Sequence, residues 1–95
     1  ILLDPGVGFS KTYDQNFGVL AHLNVLVDTQ CPVLVGVSRK SFIGRMTGKP
    51  VEDRLVGTLA AGLDSVYRGA TILRVHDVAA HREALDMFQA IGSAN

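Results

Sequence analysis

The chain carries no surplus of charge of either sign: nine Lys and Arg balance nine Asp and Glu, for a formal net charge of zero. A general nucleic-acid binder or a polybasic membrane-surface protein needs cationic excess to meet phosphates, so neither class fits. No apolar run approaches the roughly 20 residues that cross a bilayer. The opening Ile1 to Pro5 lacks the charged start of a signal peptide, and a cytoplasmic location is expected. Cysteine is nearly absent. Cys31 alone forms no internal disulfide and has no second thiolate with which to share a zinc ion, so it is read as a small buried residue ahead of a strand. The three histidines show no metal-ligand spacing. With 47% hydrophobic residues, what remains is a folded globular unit rather than a disordered tail.

Ninety-five residues bury a smaller share of their surface than a 150-residue domain does. The chain also starts inside an apolar run, at Ile1, Leu2 and Leu3, with neither a Met nor a polar lead-in, so N-terminal truncation is expected. Residues 1–95 are read as one partial domain.

Three short aliphatic segments, Ile1 to Asp4, Val33 to Val37 and Thr71 to His76, read as strands. They are continuous rather than alternating in hydrophobicity, as parallel strands covered on both faces are. A helical pattern follows each. Phe17, Leu20, Leu23 and Leu26 form the first apolar stripe, with Asp14 as its cap and an end near Asp28. Pro50 precedes the second helix, Val51 to Arg68, whose face is Leu55, Val56, Leu59, Leu63, Val66 and Tyr67; Gly57 within it permits close packing on the sheet. Asp77 caps the third, with Ala84, Leu85, Phe88 and Ile91 inward and an end before Gly92. His22 and His81 fall in helical patterns and are expected at the surface. The order strand, helix, three times over, means parallel βα units, and periodicity alone leaves a (β/α)8 barrel and a doubly wound sheet both open.

The polar residues cluster at the C-terminal ends of the strands, where either architecture binds ligands. Asp4 opens the loop Asp4-Pro5-Gly6-Val7-Gly8-Phe9. As a carboxylate it suits the donor edge of an aminopyrimidine or, equally, braces the loop through backbone amides. Phe9 stacks on a ring or anchors the loop, and Lys11 reads as a solvated charge. The run Gly36-Val37-Ser38-Arg39-Lys40-Ser41-Phe42 sets two cations among hydroxyls at a strand exit. On an extended segment Arg39 and Lys40 would point to opposite faces, so only one serves the site. Arg74 and His76 alternate onto one side of their strand and suit phosphate oxygens, although His76 also fits a structural role paired with Asp77. The glycines Gly44 and Gly48, with Lys49, miss the phosphate-loop spacing.

Together, DPGVGFSKT, PVLVGVSRKSFIG and ILRVHDV, in this order and at these separations, resemble the C-terminal part of the dihydropteroate synthase family over essentially the whole chain. The resemblance implies an α/β fold consisting of the last three βα units, strands six to eight, of a (β/α)8 TIM barrel. It implies an enzyme of folate biosynthesis that joins 6-hydroxymethyl-7,8-dihydropterin pyrophosphate to 4-aminobenzoate and releases pyrophosphate. By the same resemblance Asp4 binds the pterin's nitrogen edge, Lys40 contacts the pterin and borders the second substrate, and Arg74 and His76 hold pyrophosphate. Phe9 and Ser41 line the aminobenzoate site, which sulfonamides mimic. Gly36 leaves room beside the pterin, Ser38 borders that pocket and Arg39 is a supporting residue. Lys40, Arg74 and His76 are thereby the catalytic candidates. The family's Mg2+ is held in segments outside this sequence, so no metal ligand is expected here and the isolated chain is expected to be inactive. The full-length protein is expected to be a cytoplasmic homodimer. A small non-catalytic α/β module and a related pterin-dependent methyltransferase barrel are the alternatives. The SRKSF run speaks against the methyltransferase.

Overall fold

The structure, a computed structural model, describes residues 1–9 and 11–94; Ser10, within the first motif, lies outside them. The three predicted strands are adjacent and parallel but much shorter than their apolar runs. The central one, β1 (Leu34–Val35), pairs with β2 (Ile72–Leu73) in the register Leu34 with Ile72 and Val35 with Leu73. On its other side the first segment contributes a single parallel bridge, Leu3 to Val33. Its backbone donates from Leu3 N to Pro32 O at 2.9 Å and accepts at Leu3 O from Leu34 N at 2.8 Å. Strand length is set by the partner as well as by the residue, and the ladder ends at Val35, ahead of the turn at Ser38 and Arg39. The hydrophobic reading survives better than the ladder: Val33, Val35 and Val37 are all but completely buried. Each such valine contributes about 1.5–3 kcal/mol.

The first helical stripe is broken in two, α1 (Tyr13–Ala21) and the single turn α2 (Asn24–Val27). Its cap is Thr12 rather than Asp14: Thr12 Oγ1 accepts from Gln15 N at 3.2 Å, and Gln15 Oε1 accepts from Thr12 N at 2.9 Å. This reciprocal box satisfies two orphan helical donors, which Asp14, inside the first turn, is placed too late to do. Leu20 and Leu23 join the core, and Phe17 bridges Tyr13 and Phe42 in edge-to-face contacts at 5.0 and 5.5 Å. Cys31 is half-buried rather than fully enclosed.

A helix that the hydrophobic pattern does not announce, α3 (Ser41–Thr47), leaves the β1 exit at once and stops at Gly48, whose left-handed φ of 73° closes the end. The next helix begins later than predicted. Val51–Asp53 is a 3-10 turn, and α4 runs Leu55–Tyr67. Its buried face is Thr58, Gly62 and Ser65, not the large aliphatics; Val56 and Tyr67 are about four-fifths exposed, at 80% and 79%. Small residues are required because the helix lies close to its neighbours. A Cβ at Gly62 would sit 3.3 Å from Leu73, and one at Gly57 only 2.6 Å from Ile43 Cγ2, so Gly57 serves packing on α3 rather than on the sheet.

The last helix, α5 (Val78–Gly92), packs on α4 and includes Gly92. Asp77 stands at its N-cap position without capping through its side chain. His81 is buried at 5% exposure, contrary to expectation, with Nδ1 donating to Asp77 O at 2.8 Å. Gly62, opposite its ring, leaves the space for it. Ile91, predicted inward, is exposed in the last turn of the helix. No helix among the described residues is long and apolar enough to cross a membrane.

Candidate functional site

Three strand exits meet at one rim. At the first, Asp4 is exposed and one of its oxygens, Oδ1, accepts from Gly6 N at 2.8 Å, so it does brace its loop. The loop turns back through Phe9 N to Gly6 O at 3.0 Å, and Gly8 has a φ of 82°. That conformation, together with a Cβ position only 3.0 Å from Lys40 Cδ, restricts the position to glycine. Gly8 N donates to Asn16 Oδ1 at 2.6 Å, and the Asn16 amide in turn donates to Thr12 O at 3.1 Å. Asn16 is buried, and it lies outside the sequence motifs. A polar residue in line with Leu20 on the inner face of a helix was the available signal.

At the second exit Gly36, Val37 and Ser38 are buried. The segment is a tight turn and not extended: Lys40 N donates to Val37 O at 3.1 Å, and Arg39 takes a left-handed φ of 57°. The two cations nonetheless part as predicted. Arg39 reaches outward to Asp77, with Nη2 at 2.9 Å from Oδ1, while Lys40 turns inward and donates from Nζ to the Val7 carbonyl. Thr58, completely buried, accepts from Arg39 N at 3.1 Å, and Arg54 Nη1 donates to Arg39 O at 3.0 Å. Neither was foreseen, since neither lies in a motif.

At the third exit Arg74 and His76 line one cleft together, as the alternation requires. His76 pairs with Ser38 rather than with Asp77, which Arg39 holds. Ser38 Oγ lies 2.6 Å from His76 Nδ1 and accepts from His76 N at 3.2 Å. With Oγ already accepting the main-chain N–H, the hydroxyl proton is available to Nδ1. In the tautomer that accepts it there, Nε2 carries the ring proton and can donate to an anion. The Arg74 guanidinium lies against Gly36: a Cβ there would meet Nη2 at 3.0 Å. The absence of a side chain at Gly36 thus lets the Arg74 guanidinium reach the cleft that both residues line.

Two small clefts result, and Lys40 is the wall they share. One, about 260 Å³, is lined by Val7, Gly8, Phe9, Lys40 and Ser41; the other, about 240 Å³, by Gly36, Ser38, Lys40, Arg74, Val75 and His76. Larger hollows lie on the helical side, including one of about 920 Å³ between α4 and α5, but they do not contain the rim's polar groups. Burial, reinforced by the Arg74 guanidinium and by Lys11, lowers the Lys40 pKa, and Asp4 opposes the shift. Lys11 contributes least of these to the field at the rim. The hydrogen bond from Arg39 holds the Asp77 carboxyl below the usual range. The rim brings the cations Lys40 and Arg74 and the His76 imidazole to one cleft, an arrangement that suits an anion. No group of three His, Cys, Asp or Glu among the described residues could hold a metal ion.

Residues 1–76 match the family described as pterin binding enzyme. The chain belongs to that family. It is 45% identical over 94 residues to the dihydropteroate synthase of Haemophilus influenzae, an alignment covering 99% of this chain and 34% of that protein. Among solved structures, Xanthomonas albilineans dihydropteroate synthase with 4-aminobenzoic acid superposes with a TM-score of 0.96 at 47% identity, over 99% of this chain and 35% of that one. The same enzyme in complex with 7,8-dihydropteroate gives a TM-score of 0.96 at 47% identity, over 99% and 36% of the two chains. The chain thus spans about a third of the length of the relatives it matches, and its parallel sheet and helices fit a piece of a TIM barrel.

Proposed function

We propose that these three βα units supply strands six to eight of a dihydropteroate synthase barrel, with residues 1–95 as one partial domain of it. In this reading the rim joins 6-hydroxymethyl-7,8-dihydropterin pyrophosphate to 4-aminobenzoate. The observation that carries the proposal is the shared wall. Lys40 separates a cleft bordered by Phe9 and Ser41 from one bordered by Arg74 and His76. One ammonium therefore touches both substrates, the aminobenzoate on the loop side and the pterin on the side of Gly36, with Asp4 on the pterin's nitrogen edge. Arg74 and His76 Nε2 take the pyrophosphate.

The aniline nitrogen attacks the methylene carbon of the pterin, the bond from that carbon to the pyrophosphate oxygen breaks with its electron pair, and the new secondary amine releases a proton. A neutral aniline is already a nucleophile, so positioning and stabilisation of the departing charge carry the rate. Lys40, Arg74 and His76 are the catalytic groups in this sense. Ser38 orients His76. The Mg2+ of this reading would be held outside the described residues, and no step is derived through it. A cytoplasmic homodimer that binds neither nucleic acid nor membrane completes the proposal.

The test is Arg74→Ala in a protein that carries this chain at its relatives' length. Loss of one charge-assisted contact to the leaving group predicts about a 10- to 150-fold fall in the rate of dihydropteroate formation. A folded Arg74→Ala protein with unchanged turnover would refute the assignment.

A further inference from the structure

Resting on the reading of Lys40 just given, we propose that Arg54 is a positioning residue that holds Lys40 against the glycine loop by gripping the carbonyl of Arg39, and that Gly44 exists to let its guanidinium through. The peptide between Arg39 and Lys40 is held at both ends: its N–H donates to Val37 O at 3.1 Å, and its carbonyl accepts from Arg54 Nη1 at 3.0 Å. That plane fixes the direction in which Lys40 leaves the backbone. Arg39, preceding it, has a φ of 57°, a region that residues with a Cβ occupy only when their surroundings hold them there.

Three residues distant in sequence provide that hold, each on a different group: Thr58 takes the Arg39 N–H, Arg54 the carbonyl, and Asp77 the guanidinium. Arg54 acts on the peptide that Lys40 shares. Its Nε donates at the same time to Lys49 O at 3.0 Å, so the planar guanidinium ties both ends of α3 together. To do so it crosses α3 at Gly44, where any Cβ would collide with it. Gly44 is buried in mid-helix, a position that propensity would give to alanine.

The experiment compares Arg54→Met, Arg54→Lys, Gly44→Ala and the Gly44→Ala/Arg54→Met pair in the protein of relatives' length. Arg54→Met frees the Arg39 carbonyl and is expected to lower kcat/KM about 10- to 100-fold through misplacement of Lys40. Arg54→Lys, whose compact ammonium cannot fork to both carbonyls, should fall between it and the parent. Gly44→Ala leaves the arginine in place but displaces its guanidinium, so it should reproduce the Arg54→Met defect. The pair should be no worse than Arg54→Met alone, since both changes break one coupling.

A purely structural role would leave the titration of Lys40 unmoved. Once released from burial beside Arg74 and Lys11, and from Asp4 opposite, Lys40 should titrate higher, nearer an ordinary lysine. NMR of its ε carbon reads this without reference to turnover. Inorganic pyrophosphate, held by Arg74 and His76, should bind the variants as it binds the parent. Unmoved Lys40 titration in folded Arg54→Met or Gly44→Ala protein would overturn the inference, as would additive losses in the pair. Unchanged turnover in Lys40→Ala would instead defeat the functional reading, while the titration still decides the role of Arg54.

Discussion

Replacing Lys40 by methionine separates binding chemistry from stability, because the structure assigns the lysine's two halves to different tasks. The stem lies under the glycine loop, where the Gly8 Cβ position is 3.0 Å from Lys40 Cδ, and methionine keeps most of that contact. The ammonium donates to the Val7 carbonyl but is partly desolvated and faces Arg74 and Lys11, with only Asp4 in its favour. Its lowered pKa says that the folded site disfavours the charge relative to the unfolded chain. A lysine shifted this way binds fewer protons folded than unfolded. Stability is thus penalised at neutral pH and recovers as pH rises from the lowered value to the unfolded one. Methionine removes that penalty and loses one hydrogen bond, so the net change should be about 1 kcal/mol or less in either direction.

Activity should respond quite differently. Loss of a charge-assisted contact of roughly 1.5–3 kcal/mol at the transition state predicts about a 10- to 150-fold fall in kcat/KM. The alkaline limb of the pH–rate profile, set in the parent by Lys40 below an ordinary lysine's value, should vanish. Steady-state kinetics with both substrates, beside thermal melts at neutral pH and near pH 10, would measure both arms. Turnover equal to the parent's refutes the role of Lys40. A fall in activity matched by a fall in melting temperature shows instead that the ammonium was holding the loop and not the substrates.

Ser38→Ala removes both bonds to His76 and leaves its ring free to turn; affinity for inorganic pyrophosphate by titration calorimetry should drop about 5- to 10-fold, and an unchanged value would mean that His76 needs no orienting. Asp77→Asn deletes a carboxyl held below its ordinary range by Arg39. Its stabilisation is present above the unfolded pKa and lost as pH falls through the folded one, so the variant should melt lower at neutral pH and show a flatter acid limb, whereas parallel curves would refute this. Gly57→Ala gains helix propensity of about 1 kcal/mol but drives a methyl to 2.6 Å from Ile43 Cγ2; overpacking of about 1–3 kcal/mol should win, lowering the melting temperature, and a rise would show that α3 and α4 separate freely.

The sequence by itself determined the parallel βα order and the rim. Aliphatic runs followed by helical stripes admit little else, and Asp4, Lys40, Arg74 and His76 follow the strands directly, so the end of the sheet they reach was legible from their position. The division of labour between Arg39 and Lys40 was legible too, although it arises from a left-handed turn rather than from extended alternation. Tertiary structure decided the supports. Thr58, Arg54 and Asn16 carry no motif, and the partners that matter lie far along the chain, as with Ser38 and His76, 38 residues apart. It also decided the inner face of α4, where Thr58, Gly62 and Ser65 are buried in place of the larger aliphatics, and where β2 leaves at Gly62, and α3 at Gly57, no room for a larger side chain. Local patterns report which residues avoid water; the distance between two elements, fixed only when they pack, determines which side chains fit between them.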